Sequence, residues 1–241
     1  MFVPSGRSYQ INMSNVLVVA QSKVWNPKLI LNLRKAVNYE VVEIARPDQL
    51  NFKFLSELNP KFVFFPHWSS RITRDIFENF ECVIFHMTDL PFGRGGSPLQ
   101  NLIVRGFTET KISAIKCVAE LDAGPIYMKG SLTLEGTAQQ IFVRAAGIIE
   151  EMIVEIVKKT PQPMEQLGEV VVFERRNPNE SEMISTKSVT ELYDFIRMLD
   201  ADGYPHAFIE CGSFKIQFRN ANISNGRLLA DCIFLKSDSE D

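Results

Sequence analysis

Between Asn15 and His86 the sequence alternates short, unbroken apolar runs with longer segments whose apolar residues recur three and four positions apart. No other feature restricts the fold as much. Asn15–Ala20 (NVLVVA) reads as a strand covered on both faces, as parallel strands are, and Glu40–Ile44, Phe62–Phe65 and Cys82–Phe85 read as the second, third and fourth strands. Lys28–Val37 carries Leu29, Ile30, Leu33 and Val37 at helical spacing. Phe52, Leu55 and Leu58 predict a short helix cut off by Pro60, and Arg71–Asn79 a third with Ile72, Ile76 and Phe77 inward. Strand-helix-strand repetition of this kind needs crossovers that lay helices on both faces of an open, mostly parallel sheet.

Further along, Lys111–Val118 and Ile126–Leu134 read as two more strands joined by the loop Ala119–Pro125. Thr137-x-x-Gln140 offers a capping box in front of a long amphipathic helix, which Pro161 and Pro163 terminate. The Pro-Gln-Pro segment divides the chain into a catalytic α/β domain, 1–163, and a small β-rich C-terminal subdomain, 164–241. Val170–Phe173, Ala207–Glu210, Lys215–Phe218 and Leu228–Leu235 are its strands, with Cys211-Gly212-Ser213 as a turn. A helix from Thr190 to Met198 is capped by Ser188-x-x-Glu191. Lys236–Asp241 is polar and expected to fray. The fold class is therefore α/β, a Rossmann-like sheet with a β-rich appendage.

Hydrophobic residues make up 45% and charged residues 23% of the 241, which excludes a disordered or coiled-coil chain. Against 26 Lys and Arg stand 29 Asp and Glu, a net charge of -3. A phosphate backbone calls for a positive field, so nucleic acid is not the expected partner. Met1–Asn12 lacks the apolar core of a signal peptide, and Val16–Ala20 and Phe62–Phe65 are too short to span a bilayer. Cys82, Cys117, Cys211 and Cys232 form no Cys-x-x-Cys pair, so neither a metal site nor a disulfide framework is indicated. A cytoplasmic chain without metal or membrane contact is expected.

Ligands of open α/β sheets bind at the carboxyl ends of the strands. Two segments there carry chemistry: His86-Met-Thr-Asp-Leu-Pro-Phe-Gly-Arg-Gly-Gly-Ser-Pro98 and Glu120-Leu-Asp-Ala-Gly-Pro-Ile126. Taken singly, each is weak. A histidine after a strand is more often structural, and Asp before Ala-Gly is commonly a turn residue. The glycines match neither a Walker loop nor a dinucleotide fingerprint. Together, one imidazole and one carboxylate on crevice-facing loops suit general acid–base catalysis, the carboxylate orienting the ring. Trp68 either stacks on a flat ligand or caps the core. Arg94 either pairs with an anion or is solvated. Arg175-Arg176 reads as a solvated strand end or an anion contact, and His206 as structural.

FHMTDLPFGRGGSPLQNLI, followed by SAIKCVAELDAGPIYMKGSLTLEG, resembles the folate-dependent formyltransferase family. His86, Leu90-Pro91, Arg94-Gly95 and Leu121-Asp122-Ala123-Gly124 match its motifs in order and spacing, and the likeness runs from about Val16 to Thr160. A weaker echo continues in Phe173–Met183 and Tyr204–Phe218. The resemblance implies 10-formyltetrahydrofolate as donor and a primary amine as acceptor. It makes His86 the general base or the group polarising the carbonyl, and Asp122 the residue that orients it. It places the pterin at Ser70, Arg71, Ile72, Gly96 and Val118, Ala119, Glu120, Leu121 and Asp122, with Trp68 beside it. Thr88 and Arg94 fall to the acceptor.

The family's Asn, two residues before the histidine, is Ile84 here. The resemblance gives that amide a part in holding the oxyanion, a donor whose loss costs ~3 kcal/mol in the transition state. Backbone N–H groups of Gly95–Gly96, Thr88 and His67 are the candidate replacements. Negative charge and a short tail favour a nucleotide sugar over tRNA as acceptor. The wording around His86 resembles the branch acting on UDP-linked 4-amino-4,6-dideoxy-N-acetylhexosamines, in pseudaminic-acid-type surface-glycan synthesis. Nucleotide sugar and folate are thus the expected partners, and a homodimer the expected assembly. Methionyl-tRNA formyltransferase, a folate-binding relative without catalysis, and a formyl-folate hydrolase remain the alternatives.

Overall fold

The computed structural model describes residues 15–183 and 186–236. The readings of Met1–Asn12 and of the end beyond Lys236 lie outside the described residues. The chain runs β1 (Val16–Ala20), α1 (Leu29–Ala36), β2 (Glu40–Ile44), α2 (Phe52–Leu58), β3 (Phe62–Phe65), α3 (Arg74–Phe77) and β4 (Cys82–His86). β5 (Phe92–Gly95), α4 (Pro98–Val104), β6 (Glu109–Lys116), β7 (Ile126–Thr133) and α5 (Ala138–Lys159) follow. Six strands make one sheet in the order β2-β1-β3-β4-β6-β7. β2, β1, β3 and β4 are parallel, while β6 runs antiparallel to β4 and β7 to β6.

Alternation of side chains across the strands divides the core in two. Leu17, Val19, Phe62, Phe64 and Val83 point to the face covered by α1, α4 and α5. Val18, Ala20, Val63, Phe65 and Cys82 meet Leu55 of α2 and Ile76 of α3 on the other. Each fully buried Leu, Ile or Phe stabilises by about 1.5–3 kcal/mol, and none of these strands has a water-facing side. α5 begins at the expected capping box: Thr137 accepts from Gln140 N and the Gln140 side chain accepts from Thr137 N. Ile141, Ala145, Ile149, Met152, Ile153 and Ile156 form its buried stripe. Among the described residues no helix is long and apolar enough to cross a membrane.

Two elements differ from the sequence reading. The helix expected from Arg71 starts only at Arg74, because Thr73 keeps extended backbone (φ -77°, ψ 156°) and the chain runs irregularly up to it. Phe92–Gly95, read as loop, is a strand. It pairs in parallel with β8 (Val171–Phe173), which the sequence assigned to the tail sheet. Glycine hides the strand signal: Gly93 and Gly95 have φ of +80° and +106°, and a Cβ on Gly95 would stand 2.3 Å from the Phe173 carbonyl oxygen. The close approach of the two strands requires glycine there.

Past β8 come α6 (Val189–Arg197), β9 (Phe208–Cys211), β10 (Phe214–Ser224) and β11 (Arg227–Lys236), the strands forming an antiparallel sheet in the order β11-β10-β9. Buried Arg197 ties α6 to the front of α5, donating to Leu134 O at 2.6 Å and Gly136 O at 3.0 Å. Gln100 Nε2 donates to Met198 O at 3.0 Å, and Gln139 N to Asp200 O at 2.9 Å. The segment just after Pro163 turns back onto the large sheet: Met164 and Ile126 exchange backbone hydrogen bonds of 2.7 and 2.9 Å.

Candidate active site

His86 is the last residue of β4, opposite Ser113 of β6. Ser113 fastens the turn that follows: its hydroxyl donates to Thr88 O at 2.7 Å and accepts from Leu90 N at 3.3 Å. The turn passes through a cis Leu90–Pro91 bond into β5. This brings the Gly93 carbonyl oxygen to 2.7 Å from Nε2 of His86. A carbonyl only accepts, so Nε2 is the donor. The other ring nitrogen, Nδ1, stands 3.4 Å from Oδ2 of Asp122.

Asp122 reaches the ring from the loop between β6 and β7. Its backbone is left-handed (φ +52°), a region Asp tolerates better than most residues. Gly124 lets the loop close, since a Cβ there would stand 1.8 Å from the Lys116 carbonyl oxygen. Asp122 Oδ2 also accepts from Gly95 N at 2.9 Å. His86 and Asp122 are each about 8% exposed. The imidazole is thus flanked by two acceptors, Gly93 O and the Asp122 carboxylate.

Gln166 was not singled out by the sequence, where it sits in a polar stretch between prolines and glycine. It closes the site from below. Its Nε2 donates to Asp122 O at 2.8 Å and Gly124 O at 2.9 Å, and its Oε1 accepts from Arg94 Nε at 3.1 Å and Nη2 at 2.8 Å. Arg94 Nη1 donates to Glu120 at 3.0 Å. Arg94, expected to bind substrate, is held here by Gln166 and Glu120. Thr88, given the same role, is fully buried and its hydroxyl donates to Gly93 O at 3.3 Å. It holds the loop from inside.

The expected pterin residues form two stretches. Ser70, Arg71 and Ile72 follow β3, and Trp68 and Ile72 pack on the same apolar cluster as Phe65, Cys117 and Ile84. Trp68 Nε1 is buried without a hydrogen-bond partner among the described residues. In the second stretch, the N–H groups of Val118, Ala119, Glu120 and Leu121 make no hydrogen bond among the described residues. Burial pushes the Cys117 thiol up to about 11, assisted by the Asp122 carboxylate, so it stays a neutral, apolar wall. A flat heterocycle with polar edges fits these features: an apolar wall, an orphaned indole N–H and a row of free main-chain donors. Gly96 stands apart, its N–H given to Phe173 O at 3.0 Å and its Cα pressed against Arg175.

Ile84 offers no amide, and the candidate replacements are mostly occupied. Gly95 N is held by Asp122, Gly96 N by Phe173, and Thr88 by Gly93. His67 differs. It follows β3 in a left-handed turn (φ +52°), its ring meets Phe142 edge-on, and its Nε2 is buried without a partner among the described residues. Burial lowers its pKa to about 4.

Against known proteins, residues 178–235 match the family profile "Methionyl-tRNA formyltransferase, C-terminal domain". A methionyl-tRNA formyltransferase of Mesoplasma florum is 23% identical over 222 residues, 86% of this chain and 71% of its own length. The chain spans 61% and 40% of the next two curated relatives, also methionyl-tRNA formyltransferases. A sugar N-formyltransferase from Shewanella shares the fold, with a TM-score of 0.62 at 13% identity over 94% of this chain and 98% of its own. The structure described as methionyl-tRNA formyltransferase from Clostridium thermocellum superposes with a TM-score of 0.89, covering 92% of this chain and 99% of its own. Sharing 47% of its residues with that protein over almost the whole of it, the chain belongs to the formyltransferase family.

Proposed function

We propose that the protein transfers the formyl group of 10-formyltetrahydrofolate to the primary amine of a nucleotide-linked 4-amino-4,6-dideoxy sugar. The observation that carries transfer is the His86 ring held between Gly93 O at 2.7 Å and Asp122 Oδ2 at 3.4 Å. The folate supplies an activated formyl carbonyl when bound. Residues 118–121 would read the pterin edge through their main-chain N–H groups, with Trp68 and Ile72 along its face. As the amine attacks, its nitrogen becomes acidic and must lose a proton. Nδ1 of His86, the ring nitrogen left without a hydrogen, takes that proton beside Asp122, the imidazolium being stabilised by the carboxylate on one side and the Gly93 carbonyl on the other. The proton then passes to the folate N10 as its bond to the formyl carbon breaks and tetrahydrofolate leaves. The near-complete burial of both groups strengthens that stabilisation by excluding water.

A net charge of -3 supports a sugar acceptor over tRNA, because a tRNA partner is gripped through many phosphates. The names of the curated relatives support the second reading, methionyl-tRNA. An assay with 10-formyltetrahydrofolate, a panel of nucleotide-linked 4-amino sugars and aminoacylated initiator tRNA separates the two. The expected result is tetrahydrofolate release matched by one formyl group gained on one sugar. Formylation of the tRNA alone overturns the sugar reading. Formate release without any acceptor overturns transfer itself.

A further inference from the structure

β1 passes to β2 on one side and lies beside β3 on the other, so the strand order reverses at β1, the place where open α/β sheets bind ligands. An open cleft of about 310 Å³ lies there, lined by Lys23 and Trp25 after β1, by Gln139 at the start of α5, and by Asp202 and Gly203. Trp25 is backed by Phe142 (ring centroids 5.0 Å apart), which stacks in turn on Tyr204 at 5.3 Å. Lys23 reaches over Gly203, its Nζ 2.6 Å from where a Cβ of that glycine would stand.

A second cation connects this cleft to the proton-handling pair. Arg175 is pressed on Gly96, next to the Gly95 N–H that Asp122 accepts from. Its guanidinium acts on the Tyr204 phenol, offsetting part of the upward push of burial. Lys23 and Arg175 are exposed, and neither makes a hydrogen bond or ion pair among the described residues. The Tyr204 hydroxyl is likewise without a partner there. From β1 to β4, where His86 stands, is two strand spacings, about 10 Å.

Resting on the sugar reading above, we infer that this cleft holds the nucleoside diphosphate of the acceptor, the base against Trp25 and the diphosphate between Lys23 and Arg175. Two separated cations suit a two-phosphate bridge, and an aromatic plane supported from behind suits a base. The Asp202 carboxylate can accept from base N–H groups, and Gln139, whose Oε1 accepts from Asp202 N at 3.0 Å, holds that stretch of backbone in place.

The experiment titrates UDP, dTDP, GDP and inorganic pyrophosphate into the wild-type protein and into Lys23→Gln and Arg175→Gln, and measures steady-state kinetics with the sugar that is turned over. Both replaced side chains are exposed, and unchanged melting temperatures confirm intact variants. The expected result is binding of one nucleoside diphosphate, weakened at least tenfold by each substitution, with pyrophosphate binding far more weakly. The KM for the nucleotide sugar rises by a similar factor while that for 10-formyltetrahydrofolate stays constant. A sugar formylated with the same KM by wild type and both variants overturns the cleft assignment and leaves the sugar reading standing. No nucleoside diphosphate binding together with formylation of tRNA alone overturns both.

Discussion

The carbonyl oxygen of Gly93 lies 2.7 Å from Nε2 of His86, which fixes the outer ring nitrogen as a donor and turns Nδ1 toward Asp122. The ring cannot rotate without losing one of the two. Asp122→Asn tests what the carboxylate contributes beyond position. An amide oxygen can still accept from Gly95 N–H, so the loop should keep its place. The charge that stabilises the imidazolium is gone, and the rate of formyl transfer should fall at least a hundredfold. Single-turnover kinetics with saturating folate check it, and an unchanged rate would remove Asp122 from the proton path.

Gln166 holds three pieces of the site together with four hydrogen bonds. Gln166→Ala leaves the Asp122 and Gly124 carbonyls and the Arg94 guanidinium short of partners. A loss of about 1–3 kcal/mol in unfolding free energy is expected, with a larger drop in kcat than in folate affinity. Urea unfolding alongside steady-state kinetics measures both.

Ile84 packs with Phe65, Trp68 and Ile72. Ile84→Asn introduces an amide among them, at a cost of about 2 kcal/mol in stability. It also restores the donor that the family motif carries two residues before the histidine. The variant should melt lower and turn over at least tenfold faster. A lower melting temperature without a gain in kcat would mean that another group already serves the oxyanion.

His67 gives the fold an acid dependence. Its pKa is about 4 in the folded chain and about 6.5 once exposed by unfolding. Above pH 6.5 the ring is neutral in both states and costs nothing. Between pH 6.5 and 4 the unfolded chain binds a proton that the folded one refuses, so stability falls as pH falls, by about 3 kcal/mol in all. His67→Asn keeps a residue that accepts the left-handed backbone and removes the titration. Melting curves from pH 7.5 to 4 should flatten in that variant by the same amount.

The centre of the large sheet was legible because β1 and β3 are buried on both faces: runs such as NVLVVA and FVFF admit no other reading once amphipathic helices alternate with them. The capping box at Thr137 and the His86–Asp122 pair were readable for a similar reason, being local in sequence or carried by a motif. What escaped was set by contacts between distant segments. Gly93 and Gly95 look like loop glycines until Phe173 is laid against them. Nothing near Gln166 signals that it faces Asp122. Thr88 and Arg94 sit in the right loop, but exposure and partners depend on the fold, and both are engaged by the protein itself. His67 carries no sequence signal beyond its place after a strand.

The parallel ribbon of β5 and β8 joins the loop after His86 to a segment made only after the whole of α5. Gly93, whose carbonyl fixes the His86 ring, therefore has no strand to lie against until the chain beyond α5 has emerged and docked. Contacts that span so much sequence form late and slowly. The large sheet can close first, with its histidine in place, while the strand that carries Gly93 gains its partner only from residues 171–173. The setting of the catalytic histidine is thereby tied to docking of the segment that follows α5.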